Sequence, residues 1–192
     1  AIRCDISEED AVKALFAELE EKFGGVDVLV NNARVDPLSR RPEESDGMWW
    51  DRVMAVGLRG AYLCCNEFAR YAGRHQNGRI VNVSSCRAHR PNELESIAYS
   101  TSKLALHCLT RSYAAALARY GITVNTLAPG MIATENMFKR IGRRGYETEC
   151  GNIALHRAGT CDEIADGLIW AVENGFMTGE TININGGQTY AP

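Results

Sequence analysis

Long apolar runs are missing from this chain of 192 residues. None of its hydrophobic stretches approaches the roughly 20 residues a helix needs to cross a bilayer, so no membrane-spanning role is expected. There is no excess of positive charge either: 21 Lys and Arg stand against 24 Asp and Glu, a net charge of −3. That balance argues against nucleic acid or an anionic membrane surface as the partner. No C-x-x-C pair occurs among the seven cysteines (Cys4, Cys64, Cys65, Cys86, Cys108, Cys150, Cys161), which excludes a zinc ribbon or dithiol redox motif of that type. The four histidines (His75, His89, His107, His156) have no ligand spacing, so no metal is expected. Scattered thiols of odd number read as reduced, small apolar groups and point to the cytoplasm. The opening Ala1-Ile2-Arg3-Cys4-Asp5 has no basic flank leading into an apolar stretch and is not read as a secretory signal.

What is present is an alternation of short apolar runs and long helical stretches, the pattern of βαβ units and a parallel sheet. Ile2-Arg3-Cys4 reads as a strand end. Ser7 is expected to open a capping box with Asp10, ahead of Val12, Leu15, Phe16, Leu19 and Phe23 at helical spacing, with Gly24-Gly25 as the stop. Strands are expected over Val26–Val30, Arg79–Ser84, Ile122–Leu127 and Thr181–Asn185. Helices are expected over Met48–Gly73 and Ser96–Tyr120, and again after Thr160, whose partner three residues on is Glu163. Met137–Gly151 reads as a variable basic stretch. With no repeat and no linker, residues 1–192 form one domain of α/β class, a doubly wound parallel sheet of Rossmann-like type. Such a sheet binds ligands outside the carboxyl ends of its strands. Asp5, Asn31-Asn32-Ala33, Ser84-Ser85 and Pro129-Gly130 all fall there.

Tyr99 and Lys103 form a Tyr-x-x-x-Lys pair, which a helix brings to one face a turn apart. A free phenol titrates near pH 10, so bringing it to about 7 takes roughly 4 kcal/mol of differential interaction. An adjacent ammonium supplies interaction of the right sign. Ser85 ends the apolar strand before that helix, and its hydroxyl would share a carbonyl oxygen with Tyr99. A Ser–Tyr–Lys set of this kind polarises a carbonyl while hydride arrives from a cofactor.

Taken in order, Asp5-Ile6, Asn31-Asn32-Ala33, Ile80–Ser85, Tyr99–Lys103, Asn125–Gly130 and the tail Thr178-Gly179-Glu180 to Gly186-Gly187 resemble the short-chain dehydrogenase/reductase family. The resemblance covers essentially the whole chain and is nearest to the 3-oxoacyl-(acyl carrier protein) reductases and related sugar or polyol dehydrogenases. It implies hydride transfer between NAD or NADP and a small carbonyl or alcohol substrate. By position, Tyr99 would be the general acid or base, Lys103 would lower its pKa and hold the nicotinamide ribose, and Ser85 would position the substrate oxygen. Asp5 and Ile6 would border the adenine, and Asn31 and Ala33 would line the adenosine side. Pro129, Gly130 and Ile132 would face the nicotinamide, and Thr134 would reach the carboxamide or pyrophosphate. The resemblance also implies a homo-oligomer, dimer or tetramer, through the long helices and the final strand.

Three departures from the family pattern stand out. No Thr-Gly-x-x-x-Gly-x-Gly turn precedes Asp5, so the chain is read as lacking the family's first strands and the residue that selects NAD or NADP. The family's Asn-Asn-Ala-Gly is Asn31-Asn32-Ala33-Arg34, placing a side chain that would crowd the cofactor or swing towards a phosphate. The family's helix Asn is Gly57, so its water-linked proton relay has no side chain at that position. A non-catalytic relative serving as scaffold or oligomer partner, or a fragment without autonomous function, are the alternative readings. Cys86 with His89 would make a thiol–imidazole pair, but no oxyanion donor or orienting acid accompanies it, and a structural role is favoured. Trp49-Trp50 reads as a core anchor. Lys139, Arg140, Arg143 and Arg144 read either as a solvated face or as a contact for an anionic carrier or phosphate.

Overall fold

Four short strands pair side by side in chain order, all parallel: β1 (Val28–Asn31), β2 (Arg79–Val83), β3 (Thr123–Pro129) and β4 (Thr181–Ile184). The computed structural model describes residues 1–37, 39–73, 77–90 and 94–190; His75 lies outside them. Helices α1 (Glu9–Phe23), α2 (Asp46–Met54), α3 (Ala61–Arg70), α4 (Ile97–Leu117), α5 (Glu135–Gly151) and α6 (Cys161–Glu173) fill the connections. Parallel strands need such crossovers, and the crossovers cover both sheet faces.

Alternation along the strands divides the core. Ile80 and Val124 face Val12 and Phe16 of α1, Leu63 and Phe68 of α3, and Ala114 and Leu117 of α4. Val81 and Leu127 face the opposite way, against Ile164, Leu168 and Ala171 of α6. The doubly wound expectation therefore holds: helices lie on both faces. β3 is buried almost throughout, and its polar side chains Thr123, Asn125 and Thr126 are buried along with the apolar ones. β1 is an edge strand, with Val28 exposed.

Several boundaries differ from the sequence reading. Residues 1–5 form no strand. Ser7 is not the cap of α1: its N–H and hydroxyl both donate to Asp5 Oδ1 at 3.0 and 2.7 Å, and Glu8 precedes the helix without a side-chain cap. Gly24 ends α1 in the left-handed conformation, as expected. The helix expected over Met48–Gly73 stops at Arg70 and is interrupted by a widened π-type turn at Ala55–Gly60. That turn carries Gly57 and Gly60, and both press against neighbours: a Cβ at Gly57 would stand 3.0 Å from Ser102 Oγ, and one at Gly60 would stand 2.7 Å from Ile6 Cδ1. The basic stretch is α5, kinked at Gly142. Thr160 and Glu163 form the expected reciprocal capping box on α6.

Candidate active site

Because β1, β2 and β3 are parallel, their carboxyl ends lie along one edge of the sheet, and the chemistry-bearing residues follow it. Ser85 stands two residues beyond the end of β2, and its Oγ accepts from Arg87 N at 3.2 Å. Tyr99 and Lys103 occupy the first turns of α4, and both are buried. The Ser85 hydroxyl acts on the Tyr99 phenol in the sense that favours the phenolate. Tyr99 packs with Trp49, Val53 and Ala98, so Trp49 is the core anchor expected of it, while Trp50 is exposed.

Burial is the largest influence on Tyr99 and pushes its phenol upwards. The Ser85 hydroxyl and the positive charges of Arg34 and Arg87 pull it back. Lys103 sits otherwise than expected. Its Nζ lies 5.8 Å from the centre of the Tyr99 ring, over the face, and donates to the Val83 carbonyl at 2.7 Å. Burial, followed by the charge of Arg34, lowers Lys103 to about 8. In this geometry the pull on the phenol comes from Ser85 and the arginines.

The other expected positions distribute as follows. Asn31 ends β1, but its side chain points inward, donating to Asn82 Oδ1 at 2.8 Å and Cys65 Sγ at 3.3 Å; only its backbone is left for a ligand. Ala33, two residues on, is exposed. Asp5 is tied to Ser7, whose two bonds hold its carboxyl below the ordinary range. Ile6 is half-buried against Gly60. Pro129 ends β3, and Gly130 follows where a Cβ would stand 2.7 Å from Asn185 Cα, a close approach that only glycine allows. Ile132 forms an isolated bridge with Gly159. Thr134 caps α5, accepting from Met137 N at 3.2 Å. Cys86 turns to another partner than an imidazole: its thiol donates to Gln188 Oε1 at 3.4 Å, and burial raises its pKa. His89 instead faces His107 edge-on, with centroids 4.8 Å apart.

Sequence reasoning missed the platform beneath the site. Asn31, Asn82, Thr126 and Thr181 are in register across all four strands. Helix α4 docks onto this row with polar groups of its own. Asn82 Nδ2 donates to Thr110 Oγ1 at 2.9 Å, Thr110 and Thr126 hydroxyls are 2.7 Å apart, and His107 Nδ1 lies 3.2 Å from Thr181 Oγ1. Ser84 Oγ donates to the Lys103 carbonyl at 2.8 Å and meets His107 Nε2 at 2.8 Å. Tyr99, Lys103, His107 and Thr110 recur every three or four residues, one stripe of α4, so the buried polar contacts at one end fix where the phenol stands at the other. That stripe was the available signal.

Among the described residues no group of His, Cys, Asp and Glu is placed to hold a metal ion, and no helix is long and apolar enough to cross a membrane. The model of the enoyl-(acyl carrier protein) reductase family matches residues 1–189. The short-chain reductase protein NovJ of Streptomyces niveus is 37% identical over 97% of this chain and 73% of its own length. The 3-oxoacyl-[acyl-carrier-protein] reductase FabG of Thermotoga maritima is 34% identical over 95% of this chain and 74% of its own length. The solved structure of ElxO with NADP bound superposes with a TM-score of 0.88 at 30% identity, covering 97% of this chain and 77% of that one.

Proposed function

The chain belongs to the short-chain dehydrogenase/reductase family, and from that premise we propose an NAD- or NADP-dependent oxidoreductase acting on a small carbonyl compound or secondary alcohol. In this reading Tyr99 is the general acid for reduction and the general base for oxidation. The observation that carries it is the burial of Tyr99 and Lys103 one turn apart on α4, with the lysine Nζ over the Tyr99 ring at 5.8 Å.

The residues present fit a nicotinamide cofactor. Lys103 spends one N–H on the Val83 carbonyl and keeps its other donors for ribose hydroxyls. The first turn of α5, opening at Thr134, offers backbone N–H groups suited to a phosphate. A solved relative, ElxO, holds NADP. When bound, the nicotinamide supplies or takes the hydride. Ser85 orients the substrate oxygen, Tyr99 passes its proton to that oxygen, and Arg34 makes the phenolate left behind less costly.

The apolar groove between α2, the π-type turn and α4, lined by Met54, Leu58, Tyr62, Cys108 and Leu109, supports the homo-oligomer. Free thiols at all seven cysteines support a reducing compartment, the cytoplasm.

The test is Tyr99→Phe. Turnover with cofactor and a carbonyl panel is expected to vanish, while the cofactor-induced rise in melting temperature persists. Turnover surviving the substitution overturns the assignment.

A further inference from the structure

Two arginines converge on one carboxylate beyond the carboxyl end of β1. Arg34 NH1 lies 3.3 Å from Asp36 Oδ2, and Arg140 NH1, arriving from α5, lies 3.4 and 3.5 Å from the two oxygens of the same group. Between Arg34 and Asp36, Val35 packs against the cluster of Trp49, Val53, Ala98 and Tyr99. The peptide that carries the first arginine is therefore anchored to the wall that holds the reacting phenol. Arg34 is close enough for its charge to act on both Tyr99 and Lys103.

Arg140 is poorly satisfied where it stands. Its Nε is buried with no hydrogen-bond partner among the described atoms, and its NH2 is 3.2 Å from the Met137 thioether, a weak acceptor. NH1 reaches Asp36 only at the long end of the hydrogen-bond range. A guanidinium presents its donors in a planar fork that matches a carboxylate two bonds at a time, and one buried without such a match is costly. Two forks sharing a single carboxylate leave donors for a second oxyanion, and Asp36 shows by its own presence which anion the pair accommodates.

We infer that Arg34 and Arg140 form the recognition site for a carboxylate on the substrate, so that the protein acts on oxo acids in preference to neutral carbonyl compounds. This rests on Ser85, Tyr99 and Lys103 being the reaction centre, since that is what the bound acid's carbonyl must reach. Asp36 holds the two side chains in place and competes with the incoming acid.

The test pairs 2-, 3- and 4-oxo acids with their methyl esters and measures both calorimetric binding to the cofactor-loaded protein and turnover. At least one acid is expected to bind about 10-fold or more tighter than its ester, the size of a charge-assisted pair. Arg34→Gln and Arg140→Gln are each expected to bring that ratio towards one, Arg34→Lys and Arg140→Lys to recover part of it, and Asp36→Asn to raise it. Opposite signs from neighbouring positions separate this from simple loss of folding. Acid and ester binding alike, or a preference that survives both glutamine variants, overturns the inference. So does an Arg34→Gln variant that loses cofactor affinity while keeping the acid preference, which assigns the arginine to a cofactor phosphate. Tighter binding of an oxo-phosphate than of every oxo acid also overturns it. An arginine-dependent acid preference in binding without turnover of any carbonyl supports the anion site and removes the oxidoreductase reading instead.

Discussion

The Lys103 ammonium and the Val83 carbonyl meet at 2.7 Å in a site where the lysine is 1% exposed. Desolvation, the leading cause, brings Lys103 to about 8 from an ordinary value of 10.5. A cation whose folded pKa is depressed costs stability wherever it must be charged. Below pH 8 both folded and unfolded chains carry the proton and the whole cost, about 3 kcal/mol, is present. Between 8 and 10.5 the unfolded chain binds more protons, so this cost is relieved as pH rises. Lys103→Met removes the effect. Urea unfolding of both proteins should show the variant's stability relative to wild type falling by up to about 3 kcal/mol from pH 7 to pH 10.5. A difference that stays constant across that range contradicts the buried charge.

His107 carries a dependence of the same sign at acid pH. Burial is the first cause, with His89 and Arg111 adding to it, and together they hold the imidazole at about 4. It is kept neutral between Ser84 Oγ and Thr181 Oγ1. From pH 6.5 down to 4 the unfolded chain binds the extra proton, so stability present at neutrality is lost on acidification, by up to about 3 kcal/mol. His107→Gln costs stability at pH 7 but should lose less on going to pH 4.5. Parallel acid profiles for the two proteins would show that His107 takes no part.

The reach of the sequence differed by residue. Tyr99 and Lys103 were legible because a helix converts a four-residue spacing into one face. Ser85 was legible because an apolar strand ends just before it. The partner of Lys103 was not, since a backbone carbonyl has no sequence signature. Nor was the Asn31–Asn82–Thr126–Thr181 row, which exists only once three parallel registers are set. Ser7 and the helix after Met48 misled for a shared reason: a local signal was overruled by a tertiary one, Asp5 taking the serine and close contacts with Ile6 and Ser102 surrounding the π-type turn.

Gly57 tests that turn. In an ordinary helix interior, alanine in place of glycine is worth about 0.5–1 kcal/mol. Here the new Cβ would stand 3.0 Å from Ser102 Oγ, which itself donates to the Tyr99 carbonyl at 2.7 Å. Gly57→Ala is therefore expected to be neutral or destabilising alone, and to recover the helix gain in a Ser102→Ala background. A thermal-denaturation cycle of the four proteins checks this, and strict additivity would mean the contact is not felt.

Asn82 is where the platform is most exposed to damage. It is fully buried, accepts from Asn31 Nδ2 and donates to Thr110 Oγ1, so it joins β1, β2 and α4 through one side chain. Truncation to alanine leaves the Asn31 amide and the Thr110 hydroxyl short of partners where water has little access. Asn31 keeps only the weak Cys65 acceptor and Thr110 only Thr126, and a buried group left short of a bond costs about 1–3 kcal/mol. Asn82→Ala should therefore lose about 3 kcal/mol in urea unfolding, whereas Thr110→Val, which takes away a single hydroxyl while keeping its volume, should lose less. Because α4 is the element that loosens, the variant should also lose turnover at temperatures where it is still folded. A loss below about 1 kcal/mol would mean that water or a shifted Asn31 replaces Asn82, and that the phenol is held by packing alone.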